Sequence, residues 1–131
     1  MSARVLICED QPHVADLLAA VLRAAGFDAQ SLSRVEGVID VLLQESVAVL
    51  LVSFSGLDAE VSLALVKQLR GRPEPTLSQA GIVVMSNQKA SSSSGADAEL
   101  IRPVQAQHLV DVVTEVAATD SLALELRRSA H

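Results

Sequence analysis

Arg4-Val5-Leu6-Ile7-Cys8-Glu9-Asp10, continuing into Gln11-Pro12, decides how the rest of the chain is read. Val5 to Cys8 is an unbroken apolar run with the length and β-branched content of a strand covered on both faces. Two acids and a proline stop it. Pro12 suits the first position of a helix, where its missing N–H would be unpaired anyway. Val14, Leu17, Leu18, Val21, Leu22 and Ala25 then fall on one helical stripe, and Gly26 can close the helix. The order strand, acidic loop, helix puts Glu9 and Asp10 at the carboxyl end of a central strand, where open α/β sheets hold their ligands. Two carboxylates there read either as a cation site or as a solvated loop.

The alternation continues outward from this stretch. Phe27 to Ser33 reads as a short edge strand, and Val35, Val38, Ile39, Leu42 and Leu43 as the stripe of a helix over 35–45. Val47 to Val52 is the most apolar run and reads as the central strand, ending in the turn-rich Ser53-Phe54-Ser55-Gly56. Val61, Leu65, Val66 and Leu69 predict a helix over 58–71, with Asp58 and Glu60 favourable at its positive end. Gly71 to Pro75 breaks the pattern and leads through a loop to a buried strand, Gly81 to Ser86. Asn87 to Gly95, with serines from Ser91 to Ser94, has no apolar period and reads as loop. Ala98 to Ile101 is a short fifth strand, and Leu109, Val112, Val113 and Val116 mark a last helix over 104–117. The tail, Thr119 to His131, either extends that helix or begins a linker. The reading is one α/β domain over 1–118, a doubly wound five-stranded parallel sheet, with 119–131 as an extension. Its ligand edge carries Glu9, Asp10, Ser53 and Ser86.

Composition narrows the function. Half of the 131 residues are hydrophobic, enough for a core and too many for a disordered chain. A net charge of -6 argues against nucleic acid or anionic lipid as the main partner, and Arg127-Arg128 is too small a basic patch to reverse this. With no Trp or Tyr and two Phe, there is no stacking platform for single strands. The lone Cys8 forms no internal disulfide and points to a reducing compartment. The chain opens on a strand without a signal-peptide pattern, and no apolar run reaches membrane-spanning length. A cytoplasmic protein is expected.

The acid pair before a Pro-started helix, a later strand ending in the hydroxyl of Ser86, and Gly95-Ala96-Asp97-Ala98-Glu99-Leu100-Ile101-Arg102-Pro103 resemble, in that order, the receiver domain of response regulators. The resemblance spans about residues 3–117. It implies a flavodoxin-like fold, Mg2+ at Glu9 and Asp10, and a phosphoryl group passed from a histidine kinase to an aspartate at the end of the third strand. The metal and a lysine would offset charge on the phosphoryl oxygens. This chain departs from that pattern at the acceptor. Ser53, or Phe54 by a count back from Leu69-Arg70, stands there, and Asp58 lies too far along the loop. A serine hydroxyl is a poor nucleophile without a base, and the sequence shows none beside Ser53. Arg102 stands at the lysine position, a non-conservative change, and is placed to pair with Glu9 or Asp10. Glu99 stands where many receivers carry an aromatic switch residue. The segment before Gly95 is short and polar, so the fourth helix is expected to be shortened or replaced by a loop.

Other residues have plainer readings. His13 and His108 read as surface, and a metal site built from His13, Glu9 and Asp10 is thinly supported. A hydrolase on the same fold would need a histidine near Ser53 or Ser86, or a glycine-rich phosphate loop, and neither is present. The expectation is therefore a degenerate receiver acting by phosphorylation-independent protein contacts, not an enzyme, with no cofactor required. Its partner would be a histidine kinase or other signalling protein, or a second copy bound through the apolar excess of Leu109, Val110, Val112, Val113, Val116 and Ala117. The alternative is a receiver still coupled to a kinase through a nonstandard acceptor, with Mg2+ at the acid pair.

Overall fold

The computed structural model describes residues 3–53, 59–87 and 95–129, and beyond residue 118 the backbone alone. Five strands, β1 (Arg4–Cys8), β2 (Asp28–Leu32), β3 (Val49–Val52), β4 (Ile82–Ser86) and β5 (Ala98–Ile101), form one sheet in the order β2-β1-β3-β4-β5, every pairing parallel. The order reverses between β1 and β3, so the carboxyl ends of these two strands flank the crevice where doubly wound sheets hold ligands.

Strand periodicity sorts the apolar runs into two cores. Val5, Ile7, Val49, Leu51, Val83 and Met85 meet α1 (Pro12–Ala24) and α5 (Ala106–Ser129) on one face. Leu6, Cys8, Leu50, Val52, Ile82 and Val84 meet α2 (Val38–Gln44), α3 (Ala59–Arg70) and α4 (Pro75–Ser78) on the other. This is why β1 and β3 read as continuous hydrophobic runs: each face has its own helical layer. Gly26 ends α1 as the sequence suggests, at φ +99, with its N–H on the Arg23 carbonyl.

The structure corrects the sequence reading in two places. The stretch after Gly71 is not all loop. Pro75 starts the four-residue α4, whose Leu77 is fully buried. Arg72 and Glu74 pair at 2.8 Å before it, and that contact holds the Glu74 carboxyl below its usual range. Of the two readings of the tail, the helix extension is the one seen: α5 runs 24 residues, about 36 Å at the usual rise. Most of its apolar excess is not a free surface, though Val110 is only half-buried. Leu109, Val113 and Val116 are buried in the chain's own core, and Val112 and Ala117 pack against it. The expected change to the fourth helix falls largely on 88–94, which lie outside the described residues.

A clamp at the amino-terminal ends of β4 and β5 was not foreseen. Arg70, in the last turn of α3, donates from Nε to the Gly95 carbonyl (2.8 Å) and from Nη1 to the Ser78 and Ala80 carbonyls (3.1 and 2.7 Å). Its Nη2 donates to Asp97 Oδ2 at 3.0 Å. The same Asp97 oxygen accepts the Ile82 N–H at 2.8 Å, while the Asp97 N–H donates to the Ile82 carbonyl. Gly95 makes this turn with φ +87, and a Cβ there would sit 3.4 Å from Val66 Cγ1. The Gly-Ala-Asp segment thus has a local physical role: glycine for the left-handed turn, aspartate to start β4. Gly95→Ala is expected to cost about 1–2 kcal/mol, because an L side chain in that region is strained. Urea unfolding checks it; an unchanged midpoint would refute the account.

The open edge at β2 is guarded. Asp28 donates its N–H to Ala3 and Leu32 offers its carbonyl to Glu9, so both face β1. Ala29, next to Asp28, therefore points its carbonyl to the open side. Arg23 reaches round from α1 and donates to it from Nε (3.2 Å) and Nη2 (2.7 Å).

Candidate functional site

The carboxyl ends of β1 and β3 carry the site. β1 and β3 pair up to Cys8 and Val52, and the Ser53 N–H extends the ladder by donating to the Cys8 carbonyl at 2.8 Å. The Glu9 N–H donates to the Leu32 carbonyl on the other side, at 3.0 Å. Glu9 and Ser53 are thereby held side by side by backbone pairing rather than by a loose loop. Both are buried, at 1% and 0% exposure. Asp10, next along the chain, is only half-buried. The two acids that look equivalent in sequence occupy different environments.

Burying a carboxylate is costly unless its oxygens are satisfied. Glu9 Oε1 accepts the Gln11 N–H at 3.1 Å, the residue that precedes Pro12 and α1. Glu9 Oε2 accepts the Ser53 hydroxyl at 3.0 Å. Ser53 Oγ in turn accepts from Arg102 Nη2 at 2.8 Å, and Arg102 Nη1 donates to Asn87 Oδ1 at 3.3 Å. The result is a relay, guanidinium to hydroxyl to carboxylate, across the ends of β5, β3 and β1. Two linked hydrogen bonds keep the guanidinium within about 6 Å of the carboxylate. At an effective dielectric of about 20 that separation is worth about 3 kcal/mol of attraction, which solvent at the half-buried Arg102 reduces.

The backbone around Arg102 explains its placement. β4 and β5 pair Ser86 with Ile101, and the Arg102 N–H donates to the Ser86 carbonyl at 2.8 Å. Pro103 follows through a cis peptide bond. Ser86 is half-buried beside this contact, and Glu99 is exposed on β5 together with Ile101, which is 47% exposed.

Ser53 is thus a residue that meets Glu9 directly. Phe54, Asp58 and Ser91 to Ser94 lie outside the described residues. Arg102 reaches Glu9 through Ser53, a link by way of a hydroxyl that the sequence did not suggest. The sequence also suggested no base beside Ser53; the Glu9 carboxylate occupies that place. The signal was present, since Cys8 and Val52 end parallel runs and the next residue of each must be neighbours, but strand register is not visible before pairing is known. His13 and His108 are exposed, as read. Among the described residues no group of three or more His, Cys, Asp or Glu gathers where it could hold a metal ion, and no helix is long and apolar enough to cross a membrane.

No protein-family model matches the sequence, and no curated protein matches it. Solved structures do. A sensor protein from Polaromonas sp. JS666 superposes with a TM-score of 0.75 at 22% identity, over 90% of this chain and 98% of that one. The signal receiver domain of a signal transduction histidine kinase from Syntrophus aciditrophicus gives 0.76 at 18%, over 90% and 92%. A CheY-like response regulator receiver domain protein from Methanospirillum hungatei JF-1 gives 0.76 at 17%, over 94% and 99%. With the strand order and the crevice between β1 and β3, these likenesses establish that the chain has the receiver-domain fold of two-component response regulators.

Proposed function

We propose that this chain is a receiver-type module of bacterial two-component signalling that works by protein contact without accepting a phosphoryl group. The observation that carries the reading is Ser53. It stands at the end of β3, fully buried, with its hydroxyl donated to Glu9 and its oxygen engaged by Arg102. A carboxylate nucleophile is already ionised at neutral pH; a serine hydroxyl must lose a proton first. Glu9 is a weak base for that task, and Arg102 draws on the lone pairs that would attack. The module needs no cofactor in this reading, acts in the cytoplasm, and is not an enzyme.

Partners follow from the company this fold keeps. Two of the similar structures are a sensor protein and a domain of a histidine kinase, so a signalling protein of that class is the partner we favour. Among the described residues the exposed large hydrophobics are Leu17 on α1, Leu43 on α2 and Ile101 on β5, which offer contact points that the buried stripe of α5 does not.

The test is intact mass after incubation with acetyl phosphate and Mg2+, beside a competent receiver. No added mass on this chain while the control is modified is the expected result. A phosphoryl group removed by hydroxylamine would mean an acyl phosphate on a carboxylate. One that resists hydroxylamine would point to Ser53, with Glu9 as its base, and to a receiver coupled to its kinase through a nonstandard acceptor. Either form overturns the proposal.

A further inference from the structure

We infer that Arg102 is the built-in counter-cation of the acid pocket, filling the electrostatic place of a divalent metal and making the pocket indifferent to Mg2+. The inference rests on the pocket's geometry and goes beyond the absence of phosphoryl transfer: a chain that takes no phosphoryl group might still bind metal, and the two readouts are separate.

Three observations carry it. First, with Arg102 in place the oxygens of the pocket are committed to the relay, whereas Mg2+ demands near-octahedral oxygen ligation and gives up water reluctantly. Both Glu9 oxygens already accept hydrogen bonds, from the Gln11 N–H and the Ser53 hydroxyl. Ser53 supplies no negative charge, and its hydroxyl proton points at Glu9. Second, a cation is already there. The Arg102 guanidinium is fixed by bonds to Ser53 Oγ and Asn87 Oδ1, and its backbone N–H is fixed by the Ser86 carbonyl, so the charge is positioned by the fold rather than by a mobile side chain. Third, reach decides the residue type. Arginine presents several donors in a planar fork and so holds Ser53 and Asn87 at once; lysine has a single nitrogen to share between them. The serine is the necessary bridge, accepting from the cation and donating to the acid, a pair of roles that a carboxylate could not fill.

The pocket should therefore become responsive to metal when the cation is removed and not before. The experiment is thermal unfolding of the wild type and of Arg102→Gln, in EDTA and in about 10 mM MgCl2 or MnCl2 at constant ionic strength. The wild-type midpoint is expected to move by less than about 1 °C, and that of Arg102→Gln to rise by about 4 °C or more with either metal. The double variant Glu9→Gln/Arg102→Gln is expected to lose that rise, which ties it to the pocket rather than to the acidic surface. Should Arg102→Gln not fold, Arg102→Lys serves in its place, with a smaller rise expected because the charge is kept and the fork is lost. A wild type that gains as much from metal as the variant overturns the inference, as does a folded variant that gains nothing.

Discussion

Raising the pH from 9 to 12 is expected to remove about 3 kcal/mol of folding stability through Cys8 alone. Cys8 ends β1 in the interior, with no exposed surface, among Leu6, Val38, Leu42, Leu50 and Val52. Burial pushes its thiol from 9.0 up to about 12, since a thiolate there would be stripped of water. In the unfolded chain the thiol ionises above about pH 9, while in the fold it stays protonated to about pH 12. The native state then holds the extra proton, so stability that is complete below pH 9 falls as pH rises through that window, by at most about 1.4 kcal/mol per unit. The effect is readable here because the chain has no tyrosine and only two lysines, the groups that usually crowd this range. Urea unfolding at pH 8 to 11 should give a falling stability in the wild type and a flatter line in Cys8→Ala, whatever that variant's absolute stability. Parallel lines for the two proteins would show that Cys8 does not set the alkaline limb. By the same burial, a thiol reagent should react at the rate of unfolding and not at that of an exposed thiolate.

Arg70→Ala is expected to cost about 3 kcal/mol, the other large effect. Its guanidinium satisfies three backbone carbonyls and one carboxylate oxygen, and these groups belong to three different segments: the end of α4, the link into β4, and the Gly95–Asp97 turn. Removing the side chain leaves partly buried acceptors unpaired and frees Asp97 from its ion pair, each a penalty of about 1 kcal/mol or more. Arg70→Lys should recover less than half, because one ammonium cannot reach carbonyls that a fork spans. The midpoint in urea should fall with an unchanged slope, as befits loss of stability without a change in exposed surface. A loss under about 1 kcal/mol would mean that water replaces the clamp at little cost.

The fold was legible in the sequence because its signal is carried by burial. Runs such as Val47 to Val52 are apolar at every position only when both faces of a strand are covered, and that condition nearly implies a doubly wound sheet. Helical stripes such as Leu65, Val66 and Leu69 carry the complementary signal. The site was legible in part as a set of positions: strand ends must converge at a topological switch, which singles out Glu9, Asp10, Ser53 and Ser86, whereas Arg102 is picked out only by the resemblance to receiver domains. What joined them was not. Direct pairing of Arg102 with an acid is what charge alone suggests; the inserted hydroxyl depends on register and on a side chain's reach, and neither leaves a periodic trace. α4 escaped for a similar reason, being one turn carried by Leu77 alone. The clamp around Arg70 escaped because a polar residue bound to backbone carbonyls has no sequence partner to betray it. The apolar excess on α5 misled in the opposite direction, since a helix at the end of a sheet can bury more than one face against its own strands.

The guarded carbonyl of Ala29 has a bearing on how copies of this molecule meet. Parallel sheets end in two open strands, and any unprotected one is a template for a further strand from another chain. At β2 one outward carbonyl, that of Ala29, is taken up by Arg23, and the strand is short and polar, Asp-Ala-Gln-Ser-Leu. Edge-to-edge association there would have to displace a cation to reach the Ala29 carbonyl. The β5 edge, where Ile101 is exposed, carries no such guard among the bonds of the described residues. Aggregation of partly unfolded copies should therefore be polarised, growing more readily from β5 than from β2, and loss of the Arg23 side chain should narrow the difference.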